Sequence, residues 1–151
     1  MVLPLALLFI LSACGGGTKT QPLSTRVVRG PGFSFSAPGG WHTTRTQHSV
    51  TSSGGGAQVS VTTYTLQKPY RPALFAAAAR ELDRVAAQLA AEAGQKLTES
   101  QTVVVAGRKI RAYSFGTTRI GFVLVGRREY QLLCRPTGTA CRLLFETFSV
   151  S

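Results

Sequence analysis

Residues 72 to 94 read PALFAAAARELDRVAAQLAAEAG, and this stretch decides the fold. Phe75, Ala78, Leu82, Val85, Leu89 and Ala93 recur at intervals of three and four, which puts them on one stripe of a helix. Pro72 suits a first turn, Gly94 suits a C-terminal cap, and alanine loses no rotamer freedom on entering a helix. The spacing predicts a helix from Pro72 to Ala93. Because nothing polar interrupts the stripe, it reads as packing against a sheet rather than as a ligand site.

On either side the pattern is that of strands. Upstream, Phe33-Ser34-Phe35-Ser36 followed by Ala37-Pro38-Gly39-Gly40-Trp41 reads as strand, turn, strand, with Trp41 placed in the core. Gly54-Gly55-Gly56 then separates a polar stretch from Gln58 to Leu66, where Val59, Val61 and Thr63 alternate with polar neighbours as a second hairpin-like pair. Downstream, strands are expected over Leu97 to Val105, Lys109 to Phe115, Ile120 to Val125 and Glu129 to Cys134, with turns at 106–107, 116–118 and 126–128. Thr139 to Phe148 forms a short second helix with Ala140, Leu143, Leu144 and Phe148 on one face. The expected architecture is α+β: one antiparallel sheet with the two helices on opposite sides.

The chain opens differently. Val2 to Ala13 (VLPLALLFILSA) is apolar but shorter than the ~18 to 20 residues that span a bilayer, and it ends on Leu11-Ser12-Ala13-Cys14. That tetrapeptide resembles a bacterial lipobox, in which an aliphatic residue and two small ones present the following cysteine to a lipoprotein signal peptidase. The thiol of Cys14 is the nucleophile that takes diacylglycerol as a thioether, and two acyl chains make a stable anchor because each buried CH₂ contributes ~0.8 kcal/mol. Cleavage is expected between Ala13 and Cys14. Met1-Val2-Leu3 lacks the usual cation, which fits a start codon assigned too far downstream. Gly15 to Gly30, rich in Gly, Thr, Ser and Pro, reads as a flexible tether. The expected organisation is a signal peptide at 1–13, a lipidated linker at 14–31 and one globular domain at 32–151 on the outer face of the cell membrane.

Seventeen cations against six acids give a formal net charge of +11, and none of it lies in residues 1 to 13. Such a surface suits anionic lipid or cell-wall polymer. Thirteen of the cations are Arg and there is no Asn, the composition of a GC-rich genome, and the cations are scattered, so nucleic acid is not expected. The local groups are Arg108, Lys109 and Arg111, then Arg127 and Arg128.

With Cys14 lipidated, Cys134 and Cys141 remain as an even pair in an exported chain, and a disulfide is the natural reading. Closing so short a loop contributes ~2 to 3 kcal/mol in the chain-entropy model. Their spacing is not CxxC and no His is near, so neither redox chemistry nor a metal is expected.

Catalytic patterns are weak. A hydrolytic triad would have to draw on His42, His48 and Asp83, the last lying between Arg80 and Arg84 on the predicted helix. The histidines read as exposed loop residues without a third ligand. Glu81, Glu92, Glu99, Glu129 and Glu146 offer no evident pair for glycoside chemistry. Gly54 to Gly56 is followed by a β-rich segment rather than a helix, so it is a turn and not a phosphate cradle. Neither a cofactor nor catalysis is expected.

Taken together, Phe-Ser-Phe-Ser-Ala-Pro-Gly-Gly-Trp at 33 to 41, the central helix, Val-Ala-Gly-Arg at 105 to 108 and Cys-Arg-Leu-Leu-Phe-Glu-Thr-Phe at 141 to 148 resemble the PsbP-like (Mog/PsbP) fold in actinobacterial lipoproteins of the LpqN type. The resemblance covers about residues 33 to 150 and implies an α/β/α sandwich. It also implies a non-enzymatic binding or assembly module for an envelope protein or component. The alternative class is a lipid or small-ligand carrier with an apolar pocket under the long helix, and a hydrolase comes third.

Overall fold

The computed structural model describes residues 22–151. Leu11, Ser12, Ala13 and Cys14, with the first part of the tether, lie outside the described residues. In chain order the elements are β1 (Thr25–Gly30), β2 (Phe33–Pro38), β3 (His42–Arg45), β4 (Ser49–Gly54) and β5 (Ala57–Tyr70). A 3-10 turn (Pro72–Leu74) leads into α1 (Phe75–Glu92), followed by β6 (Leu97–Val105), β7 (Arg108–Phe115), β8 (Thr118–Arg135), α2 (Thr139–Thr147) and β9 (Ser149–Val150).

The strands form two sheets, not the single one expected: a six-stranded antiparallel sheet ordered β3-β4-β5-β8-β7-β6, and a three-stranded sheet ordered β1-β2-β9. The smaller sheet was hidden because β1 falls in the stretch read as tether. Val28 is its single buried residue while Val27 is exposed, so alternation is nearly invisible along it. Its register runs from Thr25 against Pro38 to Gly30 against Phe33.

The helices do lie on opposite faces of the large sheet. On one face α2 and the small sheet cover Val50, Val59, Val61, Ile110, Val123, Tyr130 and Leu132, with Phe33, Phe35 and Phe148 packed in the same core. The Cys134–Cys141 disulfide, Cα atoms 5.3 Å apart, ties the end of β8 to α2 inside this core. Trp41 is only partly buried at its edge, against Gly54, where a Cβ would meet the indole at 2.5 Å.

On the other face α1 lies over β6, β7 and the first part of β8. Its buried line is Leu82, Ala86 and Ala90, flanked by Val85 and Leu89. The stripe therefore sits one step round from that predicted, on small alanines that let the helix approach Tyr113, Phe115, Ile120 and Phe122. Gly94 takes φ 68 and the Gln95 amide donates back to the Ala90 carbonyl at 2.8 Å, the glycine-dependent helix stop anticipated from the sequence.

The two strands expected over 120–125 and 129–134 are one, β8. Gly126 and the two arginines after it look like a turn, but the chain continues as a strand through a bulge. Val123 and Val125 face the α2-side core at odd positions, whereas Tyr130, Leu132 and Cys134 face it at even ones. The parity therefore changes between Val125 and Tyr130, where Gly126 takes φ 55. Before the bend β8 pairs with β7; from the bend onward it pairs with β5, whose own register shifts between Thr65 and Tyr70.

Candidate functional site

The α1 side of the large sheet has three chemically distinct parts, set by where the helix lies. The first is a polar clamp beneath α1. Asp83 turns inward from the helix and its Oδ1 accepts from the Tyr113 hydroxyl at 2.6 Å and from Arg111 at 2.8 and 3.1 Å. The same guanidinium donates to Ser100 Oγ at 2.6 Å and Thr102 Oγ1 at 3.3 Å, so one arginine joins α1, β6 and β7. The Tyr113 hydrogen bond, with the hydrogen bond and charge of Arg111 and against the cost of desolvation, holds the Asp83 carboxyl below its ordinary value of 3.8. Burial, then donation to Asp83, pushes the Tyr113 hydroxyl upward. Reading Asp83 amid Arg80 and Arg84 missed this contact: its partner lies 28 residues away in sequence, and Arg84 pairs with Glu81.

The second part is a pocket of about 400 Å³ where α1 begins, lined by Tyr70, Pro72, Phe75, Leu124 and Val125 and by the cationic Arg108 and Lys109. The β6–β7 turn beside it holds Ala106 at φ 51 and Gly107 at φ 71, a tight two-residue reversal in which the alanine occupies a backbone region unfavourable to a side chain. Among the described residues, no acidic side chain lines this pocket. The expectation of an apolar pocket beneath the helix is shifted, since Leu82, Ala86 and Ala90 close that interface and the open volume sits at the helix's leading end.

The third part is sheet that no helix among the described residues covers. Register places Thr44 opposite Thr51, Thr51 opposite Ser60 and Ser60 opposite Leu133; the next row runs Ser49, Thr62, Gln131. Tyr64 donates to Gln131 Oε1 at 3.2 Å across the same face. Glu129, beside the β8 bend and opposite Tyr64, is pushed above its ordinary value of 4.5 by burial. Alternation predicts each side chain on this face, but nothing in the sequence says that the face stays bare.

The other candidates are placed as follows. His42 lies in β3 opposite Ser53 rather than in a loop, and both histidines are exposed. His48 lines a small pocket with Pro31, Gln47, Thr63, Thr65 and Arg128, which brings no carboxylate to it. Gly55 and Gly56, at φ 58 and 76, form the tight turn between β4 and β5. Arg127 donates to the Gln67 carbonyl at 3.2 Å, so the Arg127-Arg128 pair stands at the β8 bend near the basic pocket.

No family model matches the chain, and no curated protein matches it. Among solved structures, the solution structure of cyanobacterial PsbP (CyanoP) from Synechocystis sp. PCC 6803 is similar over 93% of this chain and 99% of that one, with a TM-score of 0.52 and 14% identity. A crystal structure from Bacteroides thetaiotaomicron VPI-5482 is similar over 83% of this chain at TM-score 0.46 and 11% identity; this chain spans about half of that one, 48%. The chain has a PsbP-like fold, with two helices and two β-sheets. At these identities the likeness extends to the fold alone.

Proposed function

We propose that the chain is an LpqN-type lipoprotein held on the outer face of the cell membrane by lipid on Cys14, and that its PsbP-like domain is a non-enzymatic binding or assembly module for an envelope protein or component. The observation that carries the binding role is the uncovered half of the α1-side sheet face. Thr44, Thr51, Thr62 and Gln131 stand there in register as a flat field of hydrogen-bonding groups around Leu133 and the buried Ser60. A partner laid on such a field replaces water hydrogen bonds one for one, and the ridge of α1 beside it fixes its edge. The likeness to cyanobacterial PsbP supports the module's architecture.

Two measurements test this reading. Cys14→Ser should release the domain from the membrane fraction or leave it unprocessed; fractionation like the parent overturns the anchor. Thr44→Lys with Gln131→Lys, on exposed and half-buried positions, should abolish a partner crosslinked in native membranes while the melting temperature holds. An unchanged crosslink pattern overturns the use of this face.

The pocket of about 400 Å³ favours a second reading, a lipid or small-ligand carrier, because its size lies in the range of ligand sites. Native mass spectrometry of the purified chain should then show a co-purifying molecule, lost in Phe75→Arg.

A further inference from the structure

The basic pocket, the bend of β8 and the start of α1 meet at one corner, and that corner differs from the rest of the surface. Arg108 and Lys109 line the pocket, while Arg71 lies between two of its lining residues and Arg127 follows a third. The first acid along the helix is Glu81, nine residues past Pro72, or ~13 Å along the axis at helical rise. Two of the chain's exposed large apolar side chains flank the same rim. Leu74, 49% exposed, sits in the 3-10 turn between Pro72 and Phe75, and Val104, 69% exposed, is opposite Lys109 in the β6–β7 register.

Cations beside protruding apolar side chains, around an apolar hollow, match one kind of surface: anionic phosphate above hydrocarbon. We propose that this corner docks on the bilayer and seats an anionic phospholipid, its phosphate at the rim that Arg108 and Lys109 line and its apolar part against Tyr70, Phe75 and Leu124, with Leu74 and Val104 entering the interface. The inference rests on the lipid-anchored reading for its setting, and adds that the domain lies against the membrane in one orientation. Residues 14 to 24, eleven in all, reach at most ~36 to 40 Å when extended. Strand β1, entered at Thr25, spans ~20 Å. The full reach of the tether is thus about twice the length of β1.

The test uses the processed chain beginning at residue 14 with Cys14→Ser, so that no acyl chain contributes; every element described lies downstream of it. Sedimentation with mixed phosphatidylglycerol–phosphatidylcholine vesicles should show binding that weakens with salt and is absent on phosphatidylcholine alone. Arg108→Gln with Lys109→Gln should lower the partition coefficient by about 30-fold, from ~1 kcal/mol per cation at the surface. Arg135→Gln with Arg142→Gln removes the same charge elsewhere and should change it by no more than about twofold. Leu74→Ser with Val104→Ser should reduce the binding that survives high salt.

Equal loss in the two arginine-containing pairs overturns the corner and leaves diffuse charge, and equal binding to neutral vesicles overturns the anionic requirement. Displacement by inorganic phosphate, where chloride of matched ionic strength has no effect, overturns membrane docking in favour of a free-anion site. Fractionation keeps the two readings separate. If Cys14→Ser is released from cells but the corner pair binds vesicles normally, anchoring stands and docking falls. If Cys14→Ser fractionates like its parent while vesicle binding still depends on the corner, the reverse holds.

Discussion

The two halves of the sheet face on the α1 side share strand β8 but have opposite character. Under α1, Tyr113, Phe115, Ile120 and Phe122 are buried against Leu82, Ala86 and Ala90, and the Asp83 carboxylate is paired with Arg111. Beyond the bend, Thr51, Thr62 and Gln131 are half-buried around the buried Ser60, beside Glu129, whose pKa is raised by burial. A sheet face is apolar where something packs on it and polar where water or a partner does, so the boundary runs along the chain at Gly126. The covered half holds the fold, and the bare half is free to be used.

The largest expected break falls in the covered half. Phe122→Ala removes a ring that is 1% exposed and edge-on to Tyr113, with centroids 5.9 Å apart, and should cost about 3–5 kcal/mol by denaturant unfolding. A loss under 1 kcal/mol would mean that α1 does not pack on β7 and β8 as described. Asp83→Ala should cost about 1–3 kcal/mol, because it strands the buried Tyr113 hydroxyl and the Arg111 guanidinium. The ion pair itself adds little, since Asp83 is 46% exposed.

Acid titration sharpens the contrast, because the two carboxylates carry opposite signs. Asp83 has a lowered folded pKa, so its contribution is present above its ordinary value of 3.8 and is lost as pH falls through the folded value; Asp83→Asn should flatten that acid limb. Glu129 has a raised one, so its contribution is full below 4.5 and is lost as pH rises through the folded value. Glu129→Gln should remove that decline, and stability curves measured against pH would show it. The smallest effect belongs to the open field: Thr51→Ala should stay within about 0.5 kcal/mol of the parent. A larger loss would make this face structural.

Much of the fold was legible where one periodicity dominated. The helix beginning near Pro72, the Gly94 stop, the β6–β7–β8 meander and the closing helix with its cysteine pair all follow from spacing and turn residues. What stayed hidden depended on tertiary placement. β1 shows one buried valine and so no pattern, and β8 looked broken because a bulge glycine and a turn glycine are the same letter. The site was less legible still. Arg108 and Lys109 were visible as a local group, but their joining with Phe75 and Leu124 in one pocket is set by where the helix begins. Asp83 was visible too, yet its partner Arg111 comes from another strand.

The shared strand also bears on how the domain assembles. The first part of β8 meets β7 across a two-residue turn, Phe115 against Thr118, whereas its second part meets β5 with Gln58 against Arg135, 77 residues apart in sequence. Closing the first loop costs little chain entropy and closing the second costs more, so β6, β7 and the start of β8 zip up early. The remainder of β8 must wait for β5. Until then Tyr130, Leu132 and Cys134 have no neighbour on that edge, and the interval before β5 arrives is when the nascent domain is most open to pairing with the wrong strand.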